Sequence, residues 1–288
     1  MVSVMTKFDG KTCLITGAAS GLGRATAFAA AAKGASLVIT DISADALETT
    51  AAELRATGAT VHLAHAADVS DHSAVVGLAA HTFDTVSHVD VVMNVAGIAT
   101  WGTVDKLTHQ QWRRTVDINL MGPIHVIEEF VPPMITAGRG GHVVNVSSAA
   151  GLFGLPWHAP YSASKFGLRG VSEVLRFDLA RHKIGVSLVC PGAMATPMAD
   201  SIDIAGVDRD SDAVQKALKL FLRHAVTPEQ AAKAVIRGVE RNRYYVYTSQ
   251  DIRLSHWGQR YFPFGYNMAM RGMNAVMTNY AKKNDLVH

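Results

Sequence analysis

Short runs that are apolar on both alternating sets of side chains recur along the chain: Thr12 to Thr16, Ser36 to Thr40, Val61 to Ala66, Val89 to Val92, His142 to Val146 and Val186 to Cys190. A strand wetted on one face alternates more cleanly, so these runs predict strands covered on both sides. Helix-length stretches separate them, which supplies the long crossovers that a parallel sheet requires. Predicted helices run over Leu22 to Lys33, Ala44 to Ala56, Asp71 to Phe83 and Gln110 to Ile135. The last is expected to break near Pro132 and Pro133, because proline lacks an N–H and crowds the preceding turn. Ser43 offers an N-cap to the second helix. Phe166, Leu168, Val171, Val174, Leu175, Phe177 and Leu179 recur at packing positions and predict a long helix from Ser162 to Arg181. Pro197 to Val226 predicts two helical pieces broken near Gly206 and the acidic stretch at 208–212. Thr227 and Pro228 then start a helix through Val239, and Tyr244 to Thr248 completes the sheet. The pattern is α/β: a single domain with a mostly parallel, doubly wound sheet flanked by helices.

Composition narrows this little further. The chain has 288 residues and is 49% hydrophobic, enough for one sizeable core, and no linker divides it. A formal net charge of +3 gives no reason to expect nucleic acid as a partner. Cys13 and Cys190 lie inside apolar runs and read as small buried fillers, with no metal site implied. The first ten residues lack the apolar core of a signal peptide, and no apolar run is long enough to cross a bilayer. A cytoplasmic location is the expectation.

The first chemical signal is the turn Thr16, Gly17, Ala18, Ala19, Ser20, Gly21, Leu22, Gly23, placed after a buried strand and before a helix. Its glycines admit a tight turn and close approach of a phosphate, while the helix N-terminus offers free N–H groups. Asp41, followed by Ile42, ends the second strand 24 positions beyond Gly17, where a carboxylate meets the adenosine ribose hydroxyls. Its charge repels a 2′-phosphate, so NAD is favoured over NADP; a plainer role is to cap the next helix. Asp68, followed by Val69, is placed to meet the adenine edge. The turn at Asn94, Val95, Ala96 and Gly97 aligns small residues with the nucleotide, although Asn94 also has a purely local use.

Tyr161 and Lys165 are four apart on one helix, so a cation stands near a phenol that can exchange a proton with an alcohol or carbonyl oxygen. Ser147 and Ser148 end the strand before that helix, and either hydroxyl is available to a substrate oxygen. Asn119 is available to support a helix bend, bind water or organise Lys165. In this order, the motifs resemble those of the classical short-chain dehydrogenase/reductase family, with a match over about residues 9–249. The resemblance implies a Rossmann-like core and selects Ser148 as the catalytic serine, thirteen positions before Tyr161. It assigns Tyr161 the proton, Lys165 both the tyrosine and the cofactor ribose, and Asn119 a water-linked proton path. It also places Pro191, Gly192 and Thr196 beside the nicotinamide. Val95 departs from the family's common second asparagine.

The expected activity is NAD(H)-dependent interconversion of a hydrophobic secondary alcohol and its ketone. Trp101, Leu155, Trp157, Met194 and Met198 are candidates for an apolar pocket. Alternatives are a noncatalytic NAD-sensing or interaction protein, or a reductase of another activated carbonyl or an imine. The extension at 250–288, with its aromatic and Met-rich stretch from Trp257 to Met277, is expected to cover the pocket or join subunits. Peripheral membrane contact ranks below these, because Pro263 and Gly265 interrupt an amphipathic helix. The resemblance further implies a homodimer or homotetramer.

Overall fold

The computed structural model describes residues 6–207, 211–223 and 225–283. Its main sheet has seven strands: β1 (Thr12–Thr16), β2 (Ser36–Asp41), β3 (Val61–Ala66), β4 (Val91–Asn94), β6 (Gly141–Val146), β7 (Ile184–Cys190) and β9 (Tyr245–Tyr247). They lie in the order β3-β2-β1-β4-β6-β7-β9, and every pairing is parallel. Two short strands, β5 (Thr100–Trp101) and β8 (Asp203–Ile204), form a separate parallel pair. The order reverses between β1 and β4, where the strand ends diverge and open a crevice.

Alternation across the strands builds two cores. Cys13, Ile15, Leu37, Ile39, Val91, Met93 and Val144 face α1 (Gly21–Ala31), α2 (Ala44–Ala56) and α9 (Pro228–Glu240). Leu14, Val38, Val92, Val143 and Val186 face α3 (His72–Thr85) and α5 (Gly122–Ala137). Burial on both faces is why the inner strands read as apolar runs, whereas β3, expected to be covered on both sides, lies at the sheet edge with no fully buried residue.

Three expectations need correction. The helix expected over 110–135 is α4 (His109–Val116), a π-helical turn (Asp117–Met121) and then α5, which runs through Pro132 and Pro133 without stopping. Those prolines deprive Glu128 and Glu129 of helical partners, and both lie where solvent has access. The cost is therefore small, and α5 ends instead at Gly138, with φ +62°. Next, the tyrosine-bearing helix α6 spans Ala159–Asp178, starting three residues before the expected Ser162, with proline in its first turn. The stretch after Pro197 does hold two helical pieces, α7 (Pro197–Asp200) and α8 (Asp212–Leu222), with β8 between them. Strand β8 there was not legible, because two residues carry no periodicity. Of the acidic stretch at 208–212, positions 208–210 lie outside the described residues. In the tail, α10 (Gln250–Tyr261) and α11 (Pro263–Lys283) meet at Phe262. Pro263 opens α11, but Gly265 lies within it and does not interrupt it.

Candidate active site

The cofactor turn is held by its neighbours. Gly17 and Gly21 adopt φ of +66° and +50°, and a Cβ on Gly17 would stand 2.9 Å from the backbone of Ala96. On Gly23 a Cβ would fall 1.9 Å from the Gly17 carbonyl oxygen, so only glycine allows α1 to rise that close behind the turn. Thr16 does not reach the cavity. Its Oγ1 accepts from the N–H groups of Val95 and Ala96 at 3.0 and 3.1 Å, locking the β1 turn to the β4 turn. Asn94 is likewise withdrawn, since its Nδ2 donates to Asn145 Oδ1 at 2.9 Å within the sheet.

Asp41 stands at the end of β2 with both carboxylate oxygens engaged by backbone donors. Its Oδ2 accepts from the Ala19 N–H at 3.0 Å and its Oδ1 from the Ser43 N–H at 3.1 Å. Ser43 stands at the N-cap of α2 without a side-chain capping bond. The carboxylate is thus fixed between the glycine turn and the second helix, on the cavity wall with Ile42. Asp68 forms an Asx turn with Ser70, accepting at 2.9 Å from the backbone and 2.7 Å from the hydroxyl, and lines the same wall as Val69.

One cavity of about 960 Å³ runs from these residues to the reacting group. Gly17, Ser20, Gly21, Leu22, Gly23, Ala96, Gly97, Pro191, Gly192 and Thr196 all line it. The glycine-only turn at a helix N-terminus, the fixed carboxylate and the length of the cavity fit an extended dinucleotide.

Tyr161 lies in the first turn of α6, half-buried on the cavity wall, and Lys165 lies buried one turn later. The Lys165 Nζ stands 5.7 Å from the Tyr161 ring centre and donates to the Val146 carbonyl at 2.9 Å. Burial lowers this amine to about 8. Burial pushes the phenol up, and a hydrogen bond with Ser148 opposes that rise. The two serines part company here. The Ser147 hydroxyl donates to the Lys165 carbonyl at 3.0 Å, holding β6 to α6, whereas Ser148 faces the phenol.

Asn119 occupies the π-helical turn and is fully buried. Its Oδ1 accepts from the Ile98 N–H at 2.8 Å, and its Nδ2 donates to the Ile98 carbonyl at 2.9 Å. The pair clamps the loop after Gly97, where a Cβ would meet Asn119 Oδ1 at 2.9 Å and Lys165 Nζ at 3.4 Å. Asn119 holds this loop in place and does not itself line the cavity.

Beyond the tyrosine the wall is apolar. Trp101, Leu155, Met194 and Met198 line it, but Trp157 lies in a separate shallow pocket. Trp157 has φ +64°, and its carbonyl accepts from the Gly102 N–H at 2.7 Å, so it shapes the loop instead. Sequence reasoning missed His158, which lines the cavity, packs with its ring tilted against Trp101 at 4.6 Å and meets the Tyr161 ring edge-on at 6.3 Å. Its Nδ1 pairs with the Pro156 carbonyl at 2.6 Å, and burial lowers its pKa, so the ring is held neutral. Tail residues were foreseen only as a block: Ile252 from α10 and Tyr266, Met270 and Met273 from α11 complete the wall. Tyr266 Oη donates to the Gly154 carbonyl at 2.9 Å.

Known proteins share this fold. The short chain dehydrogenase profile matches residues 11–205. The oxidoreductase SadH of Mycobacterium tuberculosis is 37% identical over 242 residues, covering 82% of this chain and 84% of its own. A short-chain dehydrogenase/reductase from Burkholderia phymatum, solved in complex with NAD, superposes with a TM-score of 0.80 at 31% identity, covering 89% of this chain and 96% of its own. A metagenomic short-chain oxidoreductase solved with NADP superposes at 0.67 and 27% identity, covering 84% and 96%. The chain belongs to the classical short-chain dehydrogenase/reductase family of oxidoreductases, whose members bind a nicotinamide cofactor.

Proposed function

We propose that this protein interconverts a hydrophobic secondary alcohol and its ketone with NAD(H), using Tyr161 as the general acid/base. The observation that carries the reading is the convergence of the Tyr161 phenol, the Ser148 hydroxyl and the Lys165 amine on a cavity whose far wall is apolar. When bound, the nicotinamide supplies or accepts a hydride. Tyr161 gives its proton to the carbonyl oxygen in reduction or takes the hydroxyl proton in oxidation. Ser148, which lines the cavity beside the phenol, orients that same oxygen and stabilises charge that develops on it. Lys165 favours the phenolate and would hold the cofactor ribose, while Asn119 keeps the loop after Gly97 in place for the dinucleotide.

Asp41 supports NAD. Its carboxylate is held in place by two backbone donors, so it cannot swing away to admit a 2′-phosphate. The exposed apolar residues Phe166, Val174 and Phe177 on α6 support a homo-oligomer formed through that helix. A noncatalytic NAD sensor has no use for Tyr161 beside a buried Lys165.

The test is turnover of a panel of apolar secondary alcohols and ketones with NAD(H) and NADP(H), repeated with Tyr161→Phe. Activity is expected to fall by roughly 10²–10⁴-fold while dinucleotide binding persists. Turnover at the original rate in Tyr161→Phe would remove the proposed mechanism.

A further inference from the structure

The helical hairpin of α10 and α11 has two unlike sides. Inward, Ile252, Tyr266, Met270 and Met273 close the cavity. Outward, Trp257, Tyr261, Phe264 and Met268 are 55%, 59%, 77% and 60% exposed, and none of the four lines the cavity. They cluster where α10 ends and α11 begins, with Trp257 and Tyr261 rings 5.4 Å apart. Along α11, Ala281 is the one buried residue among those described. A helix of 21 residues left so bare has an unmet partner.

Charge indicates what the partner is. Residues 250–283 carry five Lys or Arg against Asp251, a net +4, whereas the whole chain is +3 and the remainder is therefore −1. Arg253, Arg260 and Arg271 are exposed and pair with no carboxylate among the described residues. An isologous contact between two copies would set this patch against itself, +4 against +4, which opposes a second copy as the occupant. No helix among the described residues is long and apolar enough to cross a membrane. Aromatic side chains flanked by arginines on helices too polar to span are suited to the headgroup layer of an anionic bilayer.

We propose that the α10–α11 hairpin docks the protein on an anionic membrane surface, seating Trp257, Tyr261, Phe264 and Met268 at the acyl boundary and Arg253, Arg260 and Arg271 on the lipid phosphates. Apolar substrates dissolved in the lipid then lie beside the cavity wall that α11 builds, a consequence that rests on the proposed alcohol chemistry. Docking itself is read without turnover and stands apart from that chemistry.

The experiment is flotation of the full chain with vesicles of phosphatidylcholine alone and of phosphatidylcholine with phosphatidylglycerol. Binding is expected only to the anionic vesicles and is weakened by high salt. The variant carrying Trp257→Ser, Phe264→Ser and Met268→Ser is expected to bind more than about tenfold more weakly. Circular dichroism and dinucleotide binding check that this variant is folded. Arg253→Gln with Arg260→Gln and Arg271→Gln is expected to erase the preference for anionic lipid. Absence of flotation with either vesicle, or equal flotation of the parent chain and the serine variant, overturns the proposal. Light scattering that shows the parent oligomer falling apart in the serine variant also overturns it, by assigning the patch to a second copy.

Discussion

Lys165 sits where a cation is costly, and burial brings its amine from 10.5 down to about 8. Below about 8 both folded and unfolded chains hold the proton, and the fold bears the full cost of a buried charge. Between about 8 and 10.5 only the unfolded chain binds it, so stability rises with pH across that window. The rise is expected to be on the order of 2–3 kcal/mol in the protein without cofactor, and absent in Lys165→Met. Denaturant unfolding of both proteins at pH 7 and pH 10 reads this; identical pH dependence in the two would count against it. A site that keeps such a lysine trades stability for chemistry. Asp41 gives a second residue-scale expectation. Asp41→Ser removes the charge that faces a 2′-phosphate, and the ratio of kcat/KM for NAD over NADP is expected to fall by about tenfold or more. An unchanged ratio would mean that specificity lies elsewhere.

At the scale of elements, the joint between β1 and α1 decides whether a dinucleotide fits at all. Gly23→Ala puts a Cβ 1.9 Å from the Gly17 carbonyl oxygen, so α1 must lift off the turn. Loss of dinucleotide binding, measured by fluorescence titration, is expected together with a lowered Tm. Gly77 in α3 is the control, because a Cβ there meets nothing within 4 Å. Gly77→Ala is expected to stabilise the fold by about 0.5–1 kcal/mol and leave binding alone, since it only removes backbone freedom from the unfolded helix. The π-helical turn makes a related point. Between α4 and α5 the extra residue of a wide turn carries Asn119, whose side chain reaches both backbone groups of Ile98 and fixes the loop beside Lys165.

At the scale of the molecule, one cavity is shared between the strand ends and the tail. The nucleotide side is built by β1, β2 and the turns after them, and the far side by β5, the loop before α6, and α10 and α11. Changes in the tail are therefore expected to alter substrate choice without altering cofactor affinity. Met270→Ala with Met273→Ala removes apolar wall, and kcat/KM for a large apolar alcohol is expected to drop roughly 10-fold or more, with the dinucleotide Kd unchanged. A parallel loss of dinucleotide affinity would show that the tail holds the cofactor as well.

Local chemistry was legible in the chain before any coordinate. The inner strands of the sheet are largely apolar on both faces, the glycine turn needs φ that only glycine adopts cheaply, and Tyr161 and Lys165 are one helical turn apart whatever surrounds them. Contacts between distant segments were not. That Thr16 and Asn94 turn away from the cavity, that Ser147 is taken by the Lys165 carbonyl while Ser148 faces the phenol, and that His158 packs between Trp101 and Tyr161 all depend on partners far away in sequence. Residue type and spacing determine what a side chain can offer and which turn or face it occupies. Only the packing of separate strands and helices decides which neighbour takes up that hydrogen bond, and so which groups are left to meet a substrate.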